Sequence, residues 1–232
     1  MVAPNPEFDV YSQDYRNLVN QSVEFSGLTV DFFTQGKANF FNRKLQGIHN
    51  LKILDIGCGI GQIHSLITAS DRTITGVDVS GESVRLAESH HPNHAYKVYD
   101  GYTLPFEDHT FDVALTICVM HHVPPTQWHH FCVEMTRVVK PGGWVFIFEH
   151  NPYNPLTRLA VNRCPFDKDA VLLTARKTET LLTSTGMIQP CSEYLFFTPF
   201  QHSVFQKFDR CLKKVPLGAQ YCTYGKKNFS KN

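Results

Sequence analysis

Leu51-Lys-Ile-Leu-Asp-Ile-Gly-Cys-Gly-Ile-Gly-Gln62 decides the reading of the whole chain, because a short apolar run stops there in three alternate glycines. Leu51, Ile53, Leu54 and Ile56 give a stretch of strand length whose near-continuous apolar character fits a buried strand of a parallel sheet. Gly57, Gly59 and Gly61 allow a sharp turn and a close approach of backbone to ligand that a Cβ would obstruct. Ile63, Leu66 and Ile67 predict a helix immediately afterwards, with its first N–H groups aimed at whatever lies over the turn. A dinucleotide-binding turn reads G-x-G-x-x-G; here the third glycine comes one residue early and an acidic Asp55 precedes the first.

Outward from this stretch the pattern repeats. Thr73-Ile-Thr-Gly-Val-Asp-Val is rich in β-branched residues and predicts a second strand, with Ser80 as N-cap of the next helix. Asp78 then lies at the carboxyl end of that strand, where an acid in a doubly wound sheet accepts hydrogen bonds from ribose hydroxyls. Residues 94 to 100 alternate as a third strand ending in Asp100-Gly101, and Val113 to Val119 form a fourth. A helix carrying Phe131, Met135 and Val138 ends at Lys140-Pro-Gly-Gly143, and Trp144 to Phe148 form a fifth strand. A connection over 149–176 follows, long enough to predict a lid or binding loop. A helix over 178–185 and strands over 193–198 and 220–224 close the chain, with a helical stretch bearing Phe205, Phe208 and Leu212 between those strands. Before the first strand, helical spacing over 11–21 and 29–47 predicts an N-terminal helical cap over 1–50, leaving 51–232 as one α/β domain. Tyr11 and Tyr15 share a face of that cap, and either close over the glycine turn or pack the cap onto the sheet.

Leu54-Asp55-Ile56-Gly57-Cys58-Gly59-Ile60-Gly61 resembles the first motif of class I S-adenosylmethionine (SAM) methyltransferases. The acidic-small pair Asp100-Gly101, then Leu104-Pro-Phe106, a polar turn and Phe111-Asp112 ahead of strand four resemble the second, and Lys140-Pro-Gly-Gly143 is similar to the family's join into strand five. The resemblance implies a seven-stranded, mostly parallel sheet with helices on both faces and the last two strands as an antiparallel edge pair. It implies SAM as cofactor, held by Asp55, Gly57, Gly59, Gly61, Asp78, Asp100 and Gly101; Tyr15 joins them where the cap closes over the turn rather than packing onto the sheet. In the family the acid at Asp100 holds the adenine amino group. Residues 148–170 also resemble a bacterial subgroup of these enzymes.

The chemistry follows from the cofactor. Methyl transfer from a sulfonium is an in-line displacement in which positioning dominates. A hydroxyl or amine acceptor adds the need for a base, and histidine is best matched to neutral pH. His121 and His122 follow strand four, where strand alternation turns one of them to the cleft, and the match to the family's usual histidine favours His122. His150, with Glu149 beside it, is the rival at the end of strand five. Asn151, Tyr153, Asn154 and Arg158, stiffened by Pro152 and Pro155, are expected to bind the acceptor, and the amides suit hydroxyl-rich molecules such as sugars. The expected function is methyl transfer to a small molecule, at oxygen or nitrogen rather than carbon; a SAM-binding regulatory or scaffold protein without turnover is the alternative.

Composition excludes other classes. The 232 residues carry a net charge of +1 with Lys and Arg spread along the chain, which gives no footprint for nucleic acid or an anionic membrane. The Asn/Asp-Pro-Pro-aromatic and Pro-Cys motifs of nucleic-acid methyltransferases are missing after strand four. No run approaches a membrane span, and Met1 to Phe8 holds two prolines and no apolar core, so a cytoplasmic protein is expected. Seven cysteines form no C-x-x-C pair and read as reduced thiols. No metal is expected, since Pro92 breaks the helix that would align His90, His91 and His94.

Overall fold

The computed structural model describes residues 9, 14–67, 71–200 and 203–229. Seven strands form one sheet in the order β3-β2-β1-β4-β5-β7-β6. They are β1 (Lys52–Ile56), β2 (Thr73–Asp78), β3 (Ala95–Val98), β4 (Phe111–Ile117), β5 (Val139–His150), β6 (Met187–Leu195) and β7 (Gln220–Lys227). The first five run parallel, and β7 is antiparallel to both β5 and β6. The order reverses between β1 and β4, so their carboxyl ends open the crevice in which such sheets bind ligands. No helix among the described residues is long and apolar enough to cross a membrane.

The buried strands read as unbroken apolar runs because both faces are covered. Leu54, Ile56, Ala114, Val145 and Ile147 point into one cluster with Phe131, Met135 and Val138 of α4 (Trp128–Val138) and Leu181 and Leu182 of α6 (Ala175–Ser184). Ile53, Val113, Leu115, Phe146 and Phe148 point the other way, onto Ala38, Phe40 and Phe41 of α2 (Val30–Lys44) and Leu45 just beyond it. Phe40, Phe41 and Leu45 are almost completely buried, and each contributes about 1.5–3 kcal/mol by leaving water. The cap expected over 1–50 therefore joins the core through Ala38, Phe40, Phe41 and Leu45, whereas no residue of α1 (Tyr15–Val23) or of the turn after it belongs to that cluster.

Several boundaries differ from expectation. No α-helix follows the glycine turn among the described residues. Residues His64–Leu66 make a single 3-10 turn, and Ile63 and Ile67 at its two ends pack into the cluster beneath α2. Lys140-Pro-Gly-Gly143 belongs to β5 rather than to a helix end, as a bulge where the partner of Phe111 is Val139 and that of Val113 is Trp144. Ser80 does cap α3 (Gly81–His90), its hydroxyl accepting from the Ser83 N–H at 3.0 Å. The long connection is folded: α5 (Pro155–Arg163) and a 3-10 turn at Pro165–Asp167 occupy it.

Candidate functional site

A cavity of about 1350 Å³ opens at the carboxyl ends of β1, β2, β4 and β5. One end is built on the glycine turn. Gly57 has φ +72°, and a Cβ there would lie 2.4 Å from Cγ2 of Val119, so the turn packs directly on the exit of β4. Gly59 has φ +51° and nothing within 4 Å of its would-be Cβ, which leaves the space above it open to a ligand. Asp78 is buried on the same wall; its Oδ2 accepts the Gly59 N–H at 2.8 Å and its Oδ1 the Ser80 N–H at 2.9 Å. Burial raises its carboxyl above the usual range, and those two N–H groups oppose the rise.

Asp100 and Gly101 form the next part of the wall. Oδ1 of Asp100 accepts the Thr103 and Tyr102 N–H groups at 2.8 and 2.9 Å, which hold its carboxyl below the usual range. Asp55 also lines the cavity, but its Oδ2 meets Nε2 of His64 at 2.9 Å, while Nδ1 of His64 lies 2.7 Å from the Tyr96 hydroxyl. Asp55 thus ties the turn to the segment after it, and its buried Oδ1 has no hydrogen-bond partner. Gly61 is not among the lining residues; a Cβ there would meet His91 at 2.9 Å and His64 at 3.0 Å, so it serves packing. Tyr11 and the Tyr15 side chain lie outside the described residues.

The other end of the cavity gathers titratable groups. Beyond β4 the backbone leaves extended geometry at Cys118, with φ +55°, and enters a 3-10 turn at Met120–His122. Strand alternation therefore does not apply, and both His121 and His122 line the cavity, contrary to the expectation that one of them faces it. His121 is buried, with Nδ1 2.6 Å from Oε2 of Glu149 and Nε2 3.5 Å from Oδ1 of Asp167. Burial alone would lower its pKa; the Glu149 carboxylate overrides burial and raises it well above the usual value. His122 places Nε2 3.3 Å from the same Asp167 oxygen. Burial and the charge on His121 push it down to about 4, so its imidazole is neutral at physiological pH.

Glu149 is a brace, not a wall residue. It is fully buried, with Oε1 accepting the Val119 and Met120 N–H groups at 3.1 and 2.8 Å, and Oε2 held by His121. Its expected catalytic place is thus taken by a positioning one. His150 lines the cavity and puts Nδ1 3.3 Å from Nε2 of Gln220. Lys37 reaches in from α2 with Nζ 3.6 Å from Sγ of Cys118. Burial would raise the Cys118 thiol, but Lys37 and then His150 bring it down to about 7.

The expected acceptor residues are mostly spent on the fold. Asn151 is buried; its amide donates to the Pro216 and Gly218 carbonyls at 3.1 and 2.8 Å, and its Oδ1 accepts the Tyr153 N–H. Asn154 touches the cavity, but it caps α5 by accepting the Thr157 N–H at 3.0 Å and donates to the Leu217 carbonyl at 2.7 Å. Tyr153 is 62% exposed, and neither it nor Arg158 is among the lining residues. Apolar side chains line this end instead: Phe25, Leu28 and Phe33 from the N-terminal segment, Leu156 and Phe166 from the folded connection, and Phe196. Phe196 packs over Gly36, where a Cβ would lie within 2.3 Å of its ring, and stacks edge-on against Phe33.

Lys37, Cys118 and Asp167 escaped the sequence reading. Lys37 sits in a stretch whose periodicity announces a helix but not what it overhangs, and Asp167 lies in Cys164-Pro-Phe-Asp167, which reads as loop.

Residues 54–147 match the family model described as a methyltransferase domain. A ubiquinone biosynthesis O-methyltransferase of Hydrogenovibrio crunogenus is 31% identical over 113 residues, 46% of this chain and 45% of that one. Phthiotriol/phenolphthiotriol dimycocerosates methyltransferase 1 of Mycobacterium ulcerans is 30% identical over 109 residues, 45% of this chain and 40% of that one. The matched stretch thus spans less than half the length of these curated relatives. A SAM-dependent methyltransferase of Thermotoga maritima, described as a possible histamine N-methyltransferase, superposes with a TM-score of 0.68 over 95% of this chain and 98% of that one at 17% identity. Phosphoethanolamine N-methyltransferase 2 of Haemonchus contortus, solved with SAM, gives 0.61 over 83% and 52% at 17% identity. Residues 54–147 of this chain thus match a methyltransferase domain, set in the strand order and glycine turn of a fold shared with S-adenosylmethionine-dependent methyltransferases.

Proposed function

We propose that the protein transfers the methyl group of SAM to oxygen or nitrogen of a small acceptor with a substantial apolar body. The observation that carries this reading is the cavity itself. Sites for one drug-sized ligand run to about 300–1,000 Å³, and about 1350 Å³ has room for SAM and a second molecule. The glycine turn, Asp78 and Asp100 account for one end, and Phe25, Leu28, Phe33, Phe166 and Phe196 give the other an apolar wall. An apolar acceptor fits that wall better than the hydroxyl-rich one expected from Asn151 and Asn154, whose amides are already bonded to 216–218. The O-methylating relative named for ubiquinone biosynthesis agrees with oxygen as the methylated atom.

In the transfer, the C–S bond of the sulfonium breaks as the new C–O or C–N bond forms, and S-adenosylhomocysteine leaves with the electron pair. The acceptor's proton passes to His122, whose imidazole burial keeps neutral; its low pKa makes it a weak base, suited to an acceptor whose own proton is acidic. Glu149, which fixes His121, also holds the turn that presents His122 through the Val119 and Met120 N–H groups. The test is incubation with isotopically labelled SAM and fractionated cell metabolites. Label in an apolar, extractable product is expected; SAM binding with no labelled product in any fraction would overturn the reading. Phe33→Ala should raise acceptor KM while leaving SAM affinity within about twofold.

A further inference from the structure

We propose that His121, His150 and Asp167 form a binding site for a divalent transition-metal ion beside the point of methyl transfer. One ligating atom of each residue lies within 4.8 Å of the other two. Nε2 of His121 and Oδ1 of Asp167 are 3.5 Å apart. Two ligands on a tetrahedral ion with bonds of about 2.1 Å stand about 3.4 Å apart, so this pair already has the separation of neighbours in one coordination shell.

Two further observations point to a ligand. Asp167 is only 7% exposed, and its Oδ1 makes no well-aligned hydrogen bond, with Nε2 of His122 at 3.3 Å and of His121 at 3.5 Å as its nearest neighbours. A buried carboxylate oxygen in that state is costly unless something cationic completes it. His121 is also oriented as metal-bound histidines are. Its Nδ1 is held by Glu149 at 2.6 Å, which turns Nε2 toward Asp167, and a carboxylate on the far nitrogen is the usual partner of a ligating imidazole. The competing occupant of the gap is a proton on Nε2 of His121 or of His122.

Two imidazoles and one carboxylate select a first-row transition ion such as Mn²⁺, Fe²⁺, Co²⁺ or Zn²⁺ over Mg²⁺ or Ca²⁺, which prefer all-oxygen shells. Three protein ligands leave positions open toward the cavity, where an acceptor oxygen would coordinate and lose its proton more readily. The ion site itself stands apart from the methyl-transfer reading, while its effect on an acceptor oxygen rests on that reading.

The test titrates metal-free protein with Co²⁺ alone and follows its visible absorption, with Zn²⁺ competition as a second readout. About one ion per chain is expected, with bands that report nitrogen and oxygen ligation. Asp167→Asn, which keeps the side chain's shape, and His150→Ala should each weaken binding about tenfold or more. His91→Ala, in the separate cluster with His64 and His94, should leave it unchanged. Thermal melts confirm that the variants fold. Absence of Co²⁺ binding, or bands unchanged in both Asp167→Asn and His150→Ala, would overturn the site in favour of a proton on His121 or His122. SAM titration of the same samples separates this failure from a failure of the cofactor reading.

Discussion

Replacing Asp78 by Asn keeps shape and volume but removes the charge, and the structure fixes what that costs. Both carboxylate oxygens hold backbone donors, Gly59 at 2.8 Å and Ser80 at 2.9 Å, in a residue 8% exposed. Asparagine keeps one acceptor and sets its own amide hydrogens against the other N–H, so one charge-assisted bond is lost and one donor is orphaned. Ribose hydroxyls that would share the ionised carboxylate lose the same charge. A loss of about 1.5–3 kcal/mol in SAM affinity is expected, roughly 10- to 150-fold in Kd. Calorimetry with SAM and S-adenosylhomocysteine reads the ligand effect, and ligand-free melting reads the cost to the turn. Because burial raises the Asp78 pKa, wild-type affinity should fall with acidification at a pH above the usual aspartate range, and the Asn variant should lack that acid limb. A Kd within about twofold of wild type in a folded Asp78→Asn protein would refute the assignment of Asp78 to the cofactor.

Other substitutions test the frame around the site. Gly57→Ala forces a side chain into φ +72° against Val119 and should cost about 1–3 kcal/mol in denaturant unfolding, with SAM binding weakened in parallel. Glu193, whose Oε1 meets Lys44 Nζ and the Tyr224 hydroxyl, each at 2.8 Å, has its pKa lowered to about 2 from an ordinary 4.5, as burial's upward push is overcome by those partners. Its contribution, about 1–2 kcal/mol after solvent screening, is present above pH 4.5 and lost as pH falls toward 2; Glu193→Gln should flatten stability across that window in denaturant titrations. Tyr153→Phe and Arg158→Ala should leave methyl-transfer kinetics within about twofold, whereas Asn151→Ala should lower stability by about 1–3 kcal/mol by orphaning the Pro216 and Gly218 carbonyls.

The parts of the molecule legible in the sequence are those set by local rules. The apolar runs of β1, β4 and β5, the punctuation by Gly57 and Gly59, Asp78 at a strand end and the Ser80 cap follow from neighbours within a few residues. What was illegible depends on partners far along the chain. The amide of Asn151 looks free for a ligand until the carbonyl of Gly218 meets it. Strand periodicity assigns His121 and His122 to opposite faces, but it stops at Cys118, where positive φ turns the chain. Glu149 reads as a catalytic neighbour of His150, although the sheet directs it inward to the N–H groups of Val119 and Met120. In α2 the periodicity of Phe40, Phe41 and Leu45 gives a buried stripe; that Lys37, one turn earlier, enters the cavity is decided by the crossing of the helix over β4.

That crossing has a mechanical consequence. Phe33 and Lys37 wall the cavity from the same rigid rod whose Phe40 and Phe41 are locked into the sheet by edge-on contacts with Phe148 and Phe146. Swinging the rod aside would expose two phenylalanine rings, at about 3–5 kcal/mol each if they lost their packing as a truncation does. It therefore behaves as a fixed lintel, so any widening of this wall falls to the pieces on either side of it, the turn at 24–29 and the segment around Phe196.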